Sequence, residues 1–244
     1  MGNSLNSQND ANDEDIAQYL VQPSLAGPGV CRYCRSWANL ATGECHNCRD
    51  VKAALGEVWQ VVPISLYEKP SELRDWLKFY KPSGGDEYDP AYGSKLTQIL
   101  SEFLNAQMSN IEAAWGPIDG ICVVPSTKGV VPHPLCEVYN RTNFGVPLVD
   151  ALVRGKGPLR HRFAHRDGFE CTSHGAGLRV LLLDDVYTTG ATAQSAAYAL
   201  KSAGYEVPGI LTIARRINPD FTPQVRSLWE RCSADDFNFN GRFV

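Results

Sequence analysis

Apolar residues recur along this chain at two spacings, and the change from one to the other outlines its elements. Trp59 to Leu66 is an apolar stretch rich in β-branched residues and reads as a strand. Ser71 then has the chemistry of a helix N-cap. Leu73, Trp76, Leu77 and Tyr80 follow at helical spacing, until Pro82, Ser83, Gly84 and Gly85 end the element. From Tyr92 to Ile111, Leu96, Ile99, Leu100, Phe103 and Leu104 mark one face of a second helix. Ile118 to Val124 reads as a buried strand followed by a loop at Pro125 to Gly129, and Asn143 to Leu152 is short and mixed. Leu178 to Leu183 is almost continuously apolar, as in a strand covered on both faces. An Ala-rich helix from Ala191 to Ala203 ends at Gly204, and Val207 to Ala214 is the next strand. Strands alternating with helices predict an α/β fold, a mainly parallel sheet flanked by helices.

The segments without a period divide the rest of the chain. Residues 1–24 are polar and pattern-free and read as a disordered lead; 25–55 form a cysteine module; 56–244 form the main domain. Within the last, 217–244 is expected to be part of a hood over the site, or a tail. Gly155 to Gly177 is rich in Gly, Arg and His and reads as a long loop, a length that inside a compact domain usually has a function. Arg154, Lys156, Arg160, Arg162 and Arg166 lie there, with His161 and His165 among them. They read either as a solvated loop or as a mobile cover that meets a polyphosphate. The formal net charge of −4 over 244 residues argues against a broadly basic nucleic-acid surface without excluding a local one. No apolar run approaches the roughly 18 residues of a membrane span. Met1 to Asp15 lacks the basic-then-apolar order of a signal peptide, so the expected location is the cytoplasm.

The chemistry concentrates in Val180-Leu-Leu-Leu-Asp-Asp-Val-Tyr-Thr-Thr-Gly-Ala-Thr192. A buried strand delivers Asp184 and Asp185 to its carboxyl end, where open α/β sheets bind ligands. Thr188, Thr189, Gly190, Ala191 and Thr192 then open a helix, which gathers backbone N–H groups and hydroxyls about one point suited to a phosphate. Carboxylates beside a phosphate make sense when they accept from sugar hydroxyls, directly or through a Mg²⁺ shell. Together these describe a ribose 5-phosphate site. The Gly-x₄-Gly-Lys-Ser/Thr pattern of a Walker-type nucleotidase is absent.

Of the eight cysteines, four form two C-x₂-C pairs, Cys31/Cys34 and Cys45/Cys48, with ten residues between them. With no export signal, that pattern favours metal over disulfide. Four thiolates complete a tetrahedral Zn²⁺ and leave no position open for catalysis, and the metal would supply folding free energy to a module too short for a core. His46 in place of one cysteine, a disulfide or a redox pair remain as alternatives. Cys122, Cys136, Cys171 and Cys232 have no such spacing and read as scattered thiols.

The segment from Val180 to Thr192 resembles the 5-phosphoribosyl-1-pyrophosphate (PRPP) motif of type I phosphoribosyltransferases: four apolar residues, two acids, then Thr-Thr-Gly-x-Thr. The resemblance implies that Asp184 and Asp185 hold the ribose hydroxyls and that Thr188, Thr189, Gly190, Ala191 and Thr192 hold the 5′-phosphate. Pro125-Ser-Thr-Lys-Gly129 is similar to the family's pyrophosphate loop, implying contacts from Ser126, Thr127, Lys128 and Gly129. The loop from Gly155 to Gly177 would close over the reacting centre, with Arg160, Arg162 and Arg166 meeting the departing pyrophosphate. A four-Cys knuckle ahead of such a domain resembles the ComF family of competence-associated proteins. So does Pro63 to Tyr67 followed by Leu73 to Lys81, and the resemblance covers about residues 30–216. The chain departs from the family at one point: its Arg-Gly-Phe-Asn-type run is replaced by Pro132 to Cys136 and Asn140 to Phe144.

Three functions follow as expectations. The first is an enzyme in which an acceptor, a nitrogen nucleophile, displaces pyrophosphate from PRPP with Mg²⁺. Thr188 stands where purine-salvage members commonly carry an acid for the purine N7, which points toward amido- or orotate-like members. The second is a regulator that senses PRPP or a nucleotide without turnover. The third is a ComF-like accessory factor in DNA uptake that contacts single-stranded DNA or an uptake helicase. Oligomeric state is left open.

Overall fold

The computed structural model describes residues 15–82, 87–126, 131–160 and 162–243. Its centre is a four-stranded, all-parallel sheet in the order β1-β6-β5-β2, from Val61–Tyr67 (β1), Gly120–Val123 (β2), Val180–Tyr187 (β5) and Ile210–Arg216 (β6). Parallel strands need crossovers, and helices supply them: Glu72–Phe79 (α2) and Pro90–Trp115 (α3) carry the chain from one edge, β1, to the other, β2, and Ala191–Ser202 (α5) joins the neighbours β5 and β6. The expected α/β architecture is therefore the observed one.

The near-continuous apolar strand is explained by its two covers. Leu181 and Leu183 of β5 face the cluster built from α2 and α3, while Val180 and Leu182 face the cluster built from α5 and His46–Leu55 (α1). The cysteine segment is part of this second cluster, because Cys31, Cys34 and Cys48 are buried together with Tyr187 and Ala191. β1 is an edge strand, which lets it carry Pro63.

Four expectations change. The disordered lead does not extend through 15–24. Asp15 caps a 3₁₀ turn at Ile16–Tyr19, Ile16 and Leu20 are buried, and Tyr19 meets the Trp76 ring edge-on at 5.1 Å. Residues 1–14 lie outside the described residues. A helix unmarked in the sequence reading, Pro134–Arg141 (α4), starts with His133 as cap and proline in its first turn, and buries Leu135, Val138 and Tyr139. The long loop contains a strand, Phe169–Cys171 (β4), which pairs antiparallel with Leu152–Arg154 (β3) just ahead of the loop, closed by Arg154 donating to the carbonyls of Gly157 and Gly168. Finally, 217–243, expected as hood or tail, packs against the body of the protein. Pro223–Cys232 (α6) buries Val225 and Leu228 against Val30 of the cysteine segment and Leu66 of β1, and Phe243 packs on Phe103 at 4.9 Å. Among the described residues, no helix is long and apolar enough to cross a membrane.

Candidate functional site

The carboxyl end of β5 presents its two acids to opposite faces of the sheet, as strand alternation requires. Asp185 points to the α2 side and is buried at 5% exposure. Its Oδ2 accepts from the Tyr80 hydroxyl at 2.8 Å and pairs with Lys81 Nζ at 2.5 Å. Burial would raise its pKa, but the charges of Lys81 and His133 and the hydrogen bonds from Lys81 and Tyr80 hold it below the ordinary carboxylate value. Asp184 is half-buried on the other face; its Oδ1 accepts from the Asp185 amide at 3.0 Å. Burial and the adjacent Asp185 charge push Asp184 up to about 8, against the pull of Lys81. One neighbour is thus pulled toward its charged form and the other toward its protonated form.

Beyond the acids the chain turns into α5. Gly190 has φ 88°, and a Cβ there would stand 2.0 Å from the Tyr187 hydroxyl, so both backbone and space demand glycine. The first turn of α5 receives no side-chain cap. A helix start without one offers its N–H groups and positive dipole end to an anion. A pocket of about 130 Å³ opens at this point, lined by Asp184, Val186, Tyr187 and the run Thr188 to Ala193. Gln194, fully buried, holds the turn from behind. It accepts from the Trp59 amide and donates to the Trp59 carbonyl, each at 2.9 Å, and donates to the Tyr187 hydroxyl at 3.2 Å.

Of the anticipated site residues, Asp184 and Thr188, Thr189, Gly190, Ala191 and Thr192 line one pocket, while Asp185 stands beside it on the opposite face. Ser126 follows β2 at the same end of the sheet as the acid pair; Thr127, Lys128 and Gly129 lie outside the described residues. Arg160 and Arg162 are exposed on the β3–β4 connection, and neither lines the pocket. Arg166 stacks over Tyr198 of α5 at 5.5 Å, and the same connection is tied to α5 by the His165 amide donating to Ser195 Oγ at 2.9 Å. His161 is outside the described residues.

Three residues at the site escaped sequence reasoning. Tyr80 and Lys81 are separated from Asp185 by about a hundred residues, and only their position at the end of α2 marked them. His133 is buried near Asp185; its Nδ1 accepts from the Leu135 amide at 3.1 Å, which leaves Nε2 as the remaining ring nitrogen. Burial, helped by Lys81, pulls its pKa below the usual value.

The two C-x₂-C pairs converge. The four Sγ atoms of Cys31, Cys34, Cys45 and Cys48 all lie within 4.8 Å of one another, and Cys34 and Cys45 are 3.6 Å apart. Thiolates at ~2.3 Å from a tetrahedral Zn²⁺ would be about 3.8 Å apart, so the set fits that ion. All four cysteines are free of disulfides, and the Cys45 and Cys48 amides donate to Cys31 Sγ at 3.3 Å and Cys45 Sγ at 3.4 Å. His46 instead pairs with Asp50 at 3.4 Å, so the sulfur set is complete without it. The donors suit a structural metal with no open position.

No family model matches the chain. The chain is 36% identical over 125 residues to the adenine phosphoribosyltransferase of Clavibacter sepedonicus, covering 47% of this chain and 63% of that relative. It is 35% identical to the adenine phosphoribosyltransferase of Clavibacter michiganensis subsp. michiganensis over 125 residues, 47% of this chain and 69% of the relative. Among solved structures, the adenine phosphoribosyltransferase of Saccharomyces cerevisiae overlays with a TM-score of 0.34 at 22% identity, over 57% of this chain and 75% of that one. An overlay at that score is partial, and the kinship rests on the sequence matches.

Proposed function

Because the chain belongs to the type I phosphoribosyltransferases, we propose that it binds PRPP at the β5–α5 turn and transfers its ribose 5-phosphate to an acceptor nitrogen. The observation that carries this reading is the uncapped start of α5 beside Asp184, opening on the pocket lined by Thr188 to Ala193. In it the 5′-phosphate takes the N–H groups and hydroxyls of Thr188 to Thr192, and Asp184 and Asp185 serve the ribose diol. Mg²⁺ bound with PRPP would neutralise the diphosphate. Ser126, Thr127, Lys128 and Gly129 are assigned to the pyrophosphate, and Arg160 and Arg162 to its departure once the β3–β4 connection moves over the site. Both relatives are named for adenine, which makes adenine the acceptor to test first, even though Thr188 replaces the acid of purine-salvage members.

The cysteine set is assigned to one structural Zn²⁺, and with it the chain is read as ComF-like. A second reading, contact with single-stranded DNA or an uptake helicase, draws on the β3–β4 connection, where Phe163 is 67% exposed between Arg162 and Arg166. A sensor of PRPP without turnover remains the outcome if binding occurs and no acceptor reacts.

Calorimetric titration with PRPP, with and without Mg²⁺, tests the site. Saturable binding that Asp184→Asn/Asp185→Asn abolishes is expected, followed by AMP formation when adenine is added. A folded protein that ignores PRPP refutes the reading.

A further inference from the structure

Arg215 lies near the end of β6 with 2% exposure, an unusual depth for a residue that cannot give up its charge. Its contacts run in two directions. On one side Nε donates to the Cys34 carbonyl at 3.0 Å, and Nη2 lies 3.6 Å from Cys34 Sγ. On the other, Nη1 donates to the Tyr187 carbonyl at 3.0 Å and to the Thr188 carbonyl. The guanidinium carbon also sits 5.1 Å from the centre of the Tyr187 ring. One rigid fork therefore joins the cysteine cluster to the first two carbonyls of the phosphate turn.

A peptide plane ties each C=O to the following N–H. Holding the Tyr187 and Thr188 carbonyls from behind thus sets the direction of the N–H groups of Thr188 and Thr189, both of which line the pocket. The fork also needs an anion nearby, because carbonyl dipoles alone compensate a buried charge poorly. Four thiolates around one Zn²⁺ carry net charge −2, and Cys34 brings that charge into contact with Arg215.

We propose that Arg215 is a positioning residue that couples metal occupancy of the four-cysteine site to the shape of the phosphate-binding turn. With the metal bound, the sulfur cluster is assembled and Arg215 holds the turn; with the metal removed, Cys34 is released and the turn loosens. The coupling is reciprocal, so a ligand that orders the turn also slows loss of the metal. The inference rests on the zinc and phosphate assignments proposed above.

The test is amide hydrogen exchange on the full chain, zinc-loaded and chelator-stripped, without ligand. Peptides covering Asp184 to Thr192 are expected to exchange about tenfold faster once stripped, a clearly larger rise than that of Leu96 to Met108 in α3. Zinc-loaded Arg215→Met and Arg215→Lys should show the same loosening with one zinc retained, because lysine restores the charge without the two-sided fork. Unchanged exchange in the turn on stripping overturns the proposal. So does an equal rise in α3, which would mean that the metal holds the whole fold. The wild-type comparison decides even if the variants do not fold. PRPP titrations on the zinc-loaded wild type separate the two readings: no PRPP binding with a metal-responsive turn retires the ligand assignment alone, and binding with an unresponsive turn retires the coupling alone.

Discussion

Lys81 Nζ lies 2.5 Å from Asp185 Oδ2, so the acid pair of the candidate site already has a cation on one face before any ligand arrives. That side of Asp185 is closed, with the Tyr80 hydroxyl on the same oxygen. Lys81 pulls both acids toward ionisation, but only Asp185 ends below its ordinary value. Removing the ammonium would strand a buried carboxylate. Lys81→Met is therefore expected to lower stability by about 2–3 kcal/mol in urea unfolding at pH 7, somewhat less than for a fully buried pair because Lys81 is partly exposed. Lys81→Met combined with Asp185→Asn should recover most of that loss. An additive double mutant would show that the two residues do not act as a pair.

The elevation of Asp184 to about 8 gives ligand binding a pH signature. Its folded pKa stands above the unfolded one, so its contribution to stability is full below pH ~4 and is lost as pH rises through about 8. Ligand binding runs the other way. A diol or a Mg²⁺ shell needs the carboxylate, so affinity should climb between pH 6 and 8, by up to about tenfold per pH unit, and level off above. Binding at pH 7 should release close to one proton, read by calorimetry in buffers of different ionisation enthalpy. Asp184→Asn should bind weakly and release none. A flat profile in the wild type would mean that Asp184 is already ionised.

Gly190 makes a sharper test of the turn than the threonines do. At φ 88° with the Tyr187 hydroxyl 2.0 Å from the position of a Cβ, Gly190→Ala must displace a buried ring that Gln194 holds. The expected cost is about 2–3 kcal/mol in folding stability. PRPP affinity should fall more than tenfold. Thr192→Ala, which removes one hydroxyl, should leave stability within about 0.5 kcal/mol. If Gly190→Ala folds and binds normally, the turn is not the phosphate site.

What the sequence discloses about this chain follows from which signals are local. β5 was legible because both its faces are covered, so Val180 to Leu183 carries no polar interruption. The turn after it was legible because Asp184 to Thr192 forms one contiguous motif, and the cysteines because their spacing is local. α4 escaped because the Pro132–His133–Pro134 run reads as a turn, whereas Pro134 actually opens the helix. β3 and β4, at three residues each, are too short to show an alternation. Ile16 and Leu20 are two apolar residues in a polar lead, too few to announce a docked turn. Tyr80, Lys81, His133 and Arg215 acquire their roles only through folding, because each meets a residue far away in the chain.

Cys31, Cys34, Cys45 and Cys48 form the only group of three or more possible metal-binding side chains that converge among the described residues. They are buried within the same cluster as Tyr187 and α5. The purified chain should therefore contain one zinc per molecule by elemental analysis, and Cys48→Ser should lose it. Leaving three thiolates and a hydroxyl in that space removes the metal's contribution to folding, so the melting temperature should fall by about 10 °C or more. Because the cluster adjoins the sheet rather than hanging from a linker, the loss should appear in the cooperative unfolding of the whole chain. A separate low-temperature transition of residues 25–55 alone, with the main transition unmoved, would show that the module folds and fails independently.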